Sequence, residues 1–461
     1  MTTTVTATGL GAALGLALAL APGVPANADP STCQGRAVTI AGDSGTDGDD
    51  VMVVGPGQRS VSTGAGNDLV CVRLGDDTRR SFYLDAGPGD DVVHNETTAS
   101  TRTAYVTLGV GADAYVGSDA SVDYVDTGAD SWGGTSDTEK DVVDTGGGND
   151  SVSTGSVAPG TPNPDVISTG SGDDGVDWAG ELVGAPLDLG SGENRLRLSS
   201  GWVGTDIDID APAGLVTADS RPVLRWTGDV TAYTLQYTHL RTTFTGAALD
   251  EYVTFWPSQR DQAGPASSVG DPGLRLDADM GAGDDRLQLL DAAGGSWVGG
   301  PGRDRLGMPR CHVADVRVGR DYECRDEGRA RTLYSGAMDA WEKLTVPGWH
   351  LRVTGSPGPD HIRTYGATNH VDGRGGDDVL AVPSGAGVGR KALMAVVKGG
   401  AGDDLVRGSY LRDRLFGGPG DDRLEGKRSD DVLSGGAGRD RGVGGPGRDR
   451  CSAEVRRSCE R

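Results

Sequence analysis

The sequence is poor in large side chains. It holds 8 Trp, 11 Tyr and 4 Phe among 461 residues, too few to fill a conventional globular core of that length. Long apolar runs are equally scarce. The longest, at residues 9–21, falls short of the roughly 20 residues needed to span a bilayer, so no membrane insertion is expected. Pro22 and the small-x-small pattern Ala26-Asn27-Ala28 follow it, so residues 1–28 are expected to be a signal peptide cut after Ala28. No Lys or Arg precedes that run, and the leader carries no twin-arginine pair. HExxH, GxSxG and C-x₂-C motifs are missing, which sets aside zincin proteases, α/β-hydrolases and structural zinc sites. The 6 His residues are scattered without metal-like spacing. Asp43-x-Gly45-x-Asp47-Gly48 begins like an EF-hand loop, but Val54 stands where a bidentate Glu is required. Basic residues are sparse in the first half: residues 29–210 contain 32 Asp and Glu against 9 Lys and Arg, the rest 35 against 34. So acidic a surface is a poor partner for nucleic acid.

What abounds is glycine, with 77 residues, and its placement is periodic. Six nonapeptides run without a register slip from 399 to 452: GGAGDDLVR, GSYLRDRLF, GGPGDDRLE, GKRSDDVLS, GGAGRDRGV and GGPGRDRCS. Each has Asp in sixth place (Asp404, Asp413, Asp422, Asp431, Asp440, Asp449). Four have an apolar residue other than Cys in eighth place (Val406, Leu415, Leu424, Leu433). Glycines permit a tight six-residue turn, and the last three residues make a short strand whose middle side chain points inward. Stacking such turns aligns backbone carbonyls with Asp carboxylates, the hard oxygen donors that Ca²⁺ prefers.

The pattern G-G-x-G-x-D-x-U-x resembles the RTX (haemolysin-type) calcium-binding repeat family. That resemblance implies an all-β fold, a parallel β-roll or β-helix solenoid in which two units make one coil and turns eighteen residues apart share a side. Units 399, 417 and 435 keep their glycines (Gly399, Gly402, Gly417, Gly420, Gly435, Gly438), whereas units 408 and 426 lose the inner ones. One good ion ladder on Asp404, Asp422 and Asp440 is therefore expected, facing a poorer side where only the unit ending at Asp449 is intact.

The same turn recurs upstream at looser spacing, ending at Asp68, Asp91, Asp113, Asp150, Asp174, Asp285, Asp304, Asp360 and Asp378. Asn194 replaces the Asp in GSGEN, and TGAALDEYV places Asp250 in a decayed turn. Short alternating stretches such as Val61-Ser62-Thr63 and Ile167-Ser168-Thr169 feed several turns and read as strands. One coil per repeat is expected, with extra residues bulging opposite the glycine turn. The expected order is an acidic β-helix (29–199), degenerate coils (200–275), a β-helix with a disulfide-bearing insertion (276–352), the C-terminal roll (353–452) and a basic disulfide cap (453–461).

The 6 Cys fit an oxidising destination. Fifteen pairings are open, and a solenoid, whose contacts are between neighbours, favours Cys33 with Cys71, Cys311 with Cys324 and Cys451 with Cys459. The expected protein is a secreted, monomeric calcium-binding structural or interaction module. The alternative is a polysaccharide lyase or epimerase, using aromatics of 200–350 as a sugar groove. An extracellular glycan is the partner class left open beside calcium.

Overall fold

The computed structural model describes residues 29–75, 81–98, 103–128, 137–156, 158, 160–182, 187–199, 206–236, 241–256, 275–290, 294–325, 332–383 and 395–460. The leader, Trp202 and Tyr237 lie outside them. Among the described residues the elements are all strands, and no helix is long and apolar enough to cross a membrane.

Each coil contributes one strand to each of two mostly parallel sheets. The first sheet opens with Val51–Val54, Leu69–Val72, Val92–Asn95 and Ala114–Val116. The second opens with Ser44–Thr46, Ser60–Gly64, Phe82–Asp85 and Thr103–Thr107. Strands of three to five residues suffice because alternation sends every second side chain inward. In the second sheet a single inward column runs almost the length of the molecule. It passes through Val61, Leu84, Val106, Val125, Val152, Val176, Leu196, Tyr233, Val253, Leu287, Leu306, Leu344, Ile362, Leu380, Val406 and Leu424, and ends at Gly442. The apolar members of this column are buried. Leu415, Leu433 and Cys451 form the opposing column, so consecutive nonapeptides do alternate between sheets. This thin stacked core explains how so few aromatics suffice.

The middle of the chain keeps the second sheet while elaborating the other. Asp206–Asp210, Leu215–Ala218 and Arg221–Thr227 form an antiparallel meander. Cys311–Arg317 and Asp321–Arg325 form an antiparallel hairpin closed by the Cys311–Cys324 disulfide. Lys343–Thr354 spans both sheets, pairing with His361–Tyr365 over its first half and with Thr368–Gly375 over its second. Cys33–Cys71 and Cys451–Cys459 are also bonded, so all three nearest-neighbour pairings are found.

The glycine turns do not stay on one edge. Those ending at Asp68, Asp91 and Asp113 lead from the second sheet into the first. Those ending at Asp150 and Asp174 lead from the first into the second, as do those ending at Asp285 and Asp304 farther on. In the C-terminal roll both edges carry turns.

Candidate metal centre

Every turn but the one at Asn194 ends on an acidic residue at the start of a strand, and the turns stack through that side chain. The amide of Asp404 donates to Asp422 Oδ1 at 2.9 Å, and the amide of Asp422 donates to Asp440 Oδ1 at 3.0 Å. This rail starts at Asp360, passes through Asp378 to Asp404, and ends where Asp440 donates to Glu454. A second rail runs from Asp50 through Asp68, Asp91, Asp113 and Asp141 to Asp165, with donor–acceptor distances of 2.7–2.9 Å. Others join Asp123, Asp150, Asp174 and Asn194, and Glu251, Asp285, Asp304 and Glu342. An outer rail uses the fifth residue of the turn and runs the other way: Asp421 donates to Asp403 Oδ1, and Arg439 to Asp421 Oδ1.

The inner rail consumes only one oxygen of each carboxylate. Oδ2 of Asp68, Asp91, Asp113, Asp150, Asp174, Asp285, Asp304, Asp378, Asp404, Asp422, Asp431, Asp440 and Asp449 is buried and accepts no hydrogen bond. In the roll this oxygen folds back over the first glycine of its own turn. A Cβ on Gly399, Gly417 or Gly435 would stand 2.1 Å from Oδ2 of Asp404, Asp422 or Asp440. A buried acceptor without a donor is costly, and a buried carboxylate far more so, unless a cation or proton meets it.

Variant turns show what closes the gap when no cation is needed. Thr46 donates both N–H and O–H to Asp50 Oδ2, at 2.7 and 2.9 Å. Ser356 donates its amide to Asp360, and Ser409 its amide and hydroxyl to Asp413. Asn194 is the most telling: its Oδ1 keeps the rail at 3.0 Å, and its Nδ2 donates to the carbonyls of Leu189 (2.9 Å) and Asp229 (3.0 Å). The place filled elsewhere by Oδ2 is thus, in this turn, ringed by carbonyl oxygens. An all-oxygen donor set of that kind fits Ca²⁺.

A family match decides the matter. The RTX calcium-binding nonapeptide repeat matches the chain in four copies, over residues 44–78, 352–380 and 416–451. These segments are RTX repeats. No curated protein matches the chain. The RTX segments contain both closed turns (Asp50, Asp360) and open ones (Asp68, Asp378, Asp422, Asp431, Asp440, Asp449), and the same rail geometry continues outside them at Asp91, Asp113, Asp150, Asp174, Asp285, Asp304 and Asp404. Calcium bound at an RTX turn supplies the positive charge that the carboxylate and carbonyl oxygens lack.

Two expectations need correction. The ladder is not confined to one edge: Asp413, Asp431 and Asp449 form an equivalent rail at 2.8 Å spacing of donor and acceptor, and Asp431 and Asp449 also keep an open Oδ2. Only Asp413 is closed. Where glycine is lost, Lys427 and Ser429 take φ of 88° and 76°, so the turn keeps its shape at the cost of backbone strain. In the decayed turn the rail residue is Glu251, not Asp250, because the longer side chain reaches back to the Ala247 amide; Asp250 belongs to the outer rail. The outer rail and Asp141 and Asp165 were not anticipated. The available signal was Asp directly before a strand, as in Asp141-Val142-Val143 and Asp91-Val92-Val93.

Burial is the largest influence on these carboxyls, and neighbouring carboxylates add to it against the opposing amide bonds. Together they push Asp91, Asp150, Asp378 and Asp431 up to about 7, and Asp113, Asp285, Asp304 and Asp404 to about 6. A carboxyl raised in the fold contributes stability that is fully present below its unfolded value, near 3.9, and is lost as pH rises through the folded value. In calcium-free buffer, thermal melts followed by circular dichroism should therefore show a higher midpoint at pH 5 than at pH 8. A midpoint that falls on acidification would contradict this.

Proposed function

We propose that the chain is a secreted calcium-binding repeat protein that acts as an extracellular structural or interaction module and completes its fold on meeting calcium. The rail of buried, unpartnered Oδ2 atoms carries this reading. The ligand set we assign comprises Asp68, Asp91, Asp113, Asp150, Asp174, Asp285, Asp304, Asp378, Asp404, Asp422, Asp431, Asp440 and Asp449, with backbone carbonyls of their turns. Asp360, closed by Ser356, is withdrawn from it. Three disulfides support an extracytoplasmic destination, with residues 1–28 as the leader. Extracellular calcium modules bind with dissociation constants of roughly 10⁻⁴–10⁻³ M. Each site held at ten times its constant adds about 1.4 kcal/mol to the fold.

The sugar-groove reading has few aromatics to draw on: among the described aromatics of 200–350 only Tyr252, Trp256 and Trp349 are exposed, with Arg286 over the Tyr252 ring and His312 stacked on Trp349. Trp226, Tyr233, Phe244, Phe255, Trp297, Tyr322 and Trp341 are buried in the core. A calcium titration of the full chain, followed by the β signal in circular dichroism, tests the proposal. We expect a cooperative gain across the submicromolar-to-millimolar range. An unchanged folded spectrum in chelator would sink it.

A further inference from the structure

The first-edge rail outlives its glycine turns. Beyond Asp113 the turns cross to the other edge, yet the rail continues into Asp141 and Asp165, which belong to no glycine turn. The crossing leaves a cluster of four carboxylates. Asp113, Asp137 and Asp141 each bring an oxygen within 4.8 Å of the others, and Asp165 lines the same small cleft with Thr127. Asp113 is 1 % exposed, Asp137 9 %, Asp141 1 % and Asp165 4 %.

The partners within the cleft are unevenly shared. Asp165 Oδ2 accepts from the hydroxyls of Thr127 and Thr154, and Asp137 Oδ1 accepts the Glu139 amide at 3.0 Å. Asp113 Oδ2 and Asp137 Oδ2 accept nothing. Two of the three clustered carboxylates thus carry an oxygen without a donor, one of them on a side chain almost wholly buried. Like charges this close in a buried cleft repel strongly unless a cation lies between them.

We infer that Asp113, Asp137 and Asp141 bind one hard divalent cation, with Asp165 as the wall behind, and that this ion pins the loop carrying Asp137 to the point where the turns change edge. The donors are side-chain oxygens from two coils and from the segment at Asp137, with Asp113 shared between this cleft and its own turn. All-oxygen coordination with three carboxylates favours calcium. Burial and mutual repulsion raise Asp113 and Asp137 to about 6 and Asp141 to about 9, which agrees with that crowding.

The test counts bound calcium per chain after equilibrium dialysis, comparing the unmodified full chain with Asp137→Asn. Asparagine retains the acceptor for the Glu139 amide, so the loop keeps its hydrogen bond. We expect one ion fewer, with the β signal in calcium retained. The count is a difference between variants, so it reads this cleft whether or not the RTX turns hold ions. Should Asp137→Asn fail to fold, Asp141→Asn removes another ligand carboxylate and keeps the acceptor for the Asp113 amide; it too should lose one ion. A folded variant with an unchanged count overturns the inference.

Discussion

Changing Asp404, Asp422 and Asp440 together to Asn should make the roll more stable without calcium and nearly blind to calcium on that edge. The reasoning comes from Asn194. There the amide oxygen keeps the rail, and the amide nitrogen donates to two carbonyls that a carboxylate would repel. Asparagine at 404, 422 and 440 would likewise leave the 2.9 and 3.0 Å rail bonds in place while giving each unpartnered Oδ2 position a donor. Relieving an unsatisfied buried polar group is worth about 1–3 kcal/mol, more when the group is charged. Three such changes should raise the calcium-free melting midpoint well beyond experimental error. The variant should also bind fewer ions and gain less from saturating calcium. A triple variant that is less stable than wild type in chelator would show that the open oxygens are not a liability of the calcium-free fold.

Gly418→Ala should do the opposite, and for backbone reasons alone. Gly418 sits at φ +136°, and a Cβ there would lie 1.8 Å from the carbonyl oxygen of Gly400 on the neighbouring coil. The left-handed geometry and the collision both count against it, about 2–6 kcal/mol together. Two coils would have to part, and the columns through Leu415 and Leu424 would part with them. Gly442→Ala is the control. It fills the inward place after Leu424, where the nearest atoms are 3.6 Å away, an ordinary contact. Reduced chain entropy in the unfolded state should make it stabilising by about 0.4–1 kcal/mol. Chemical denaturation in saturating calcium would separate the two; equal losses would mean that coil stacking does not set glycine's place.

The repeat made the coil legible from sequence because period, turn and inward residue are all local. Val406, Leu415, Leu424 and Leu433 fall where a nine-residue reading puts them, and the three disulfides follow from neighbour contacts. The switch of edges was not legible. A glycine turn reads the same whichever sheet it enters, so the crossing between Asp113 and Asp150 depends on which strands pair, a non-local property. Parity also overstated the difference between edges. It counted glycines, whereas the deciding group is the second residue of the turn: Ser409 closes Asp413 and Ser356 closes Asp360, while Gly436 offers Asp440 no side-chain donor. Nor did sequence show the Tyr83–Tyr105–Tyr124 stack, exposed at Tyr83 and Tyr124 and half-buried at Tyr105, with centroids 5.0 and 4.8 Å apart, because its members come from three successive coils.

Anomalous diffraction from crystals grown in calcium tests the central claim most directly. Peaks are expected beside Oδ2 of Asp404, Asp422 and Asp440, and none at the turns of Asp50, Asp360 and Asp413, where Thr46, Ser356 and Ser409 already donate. Peaks absent from the open turns, or spread equally over open and closed ones, would contradict the account.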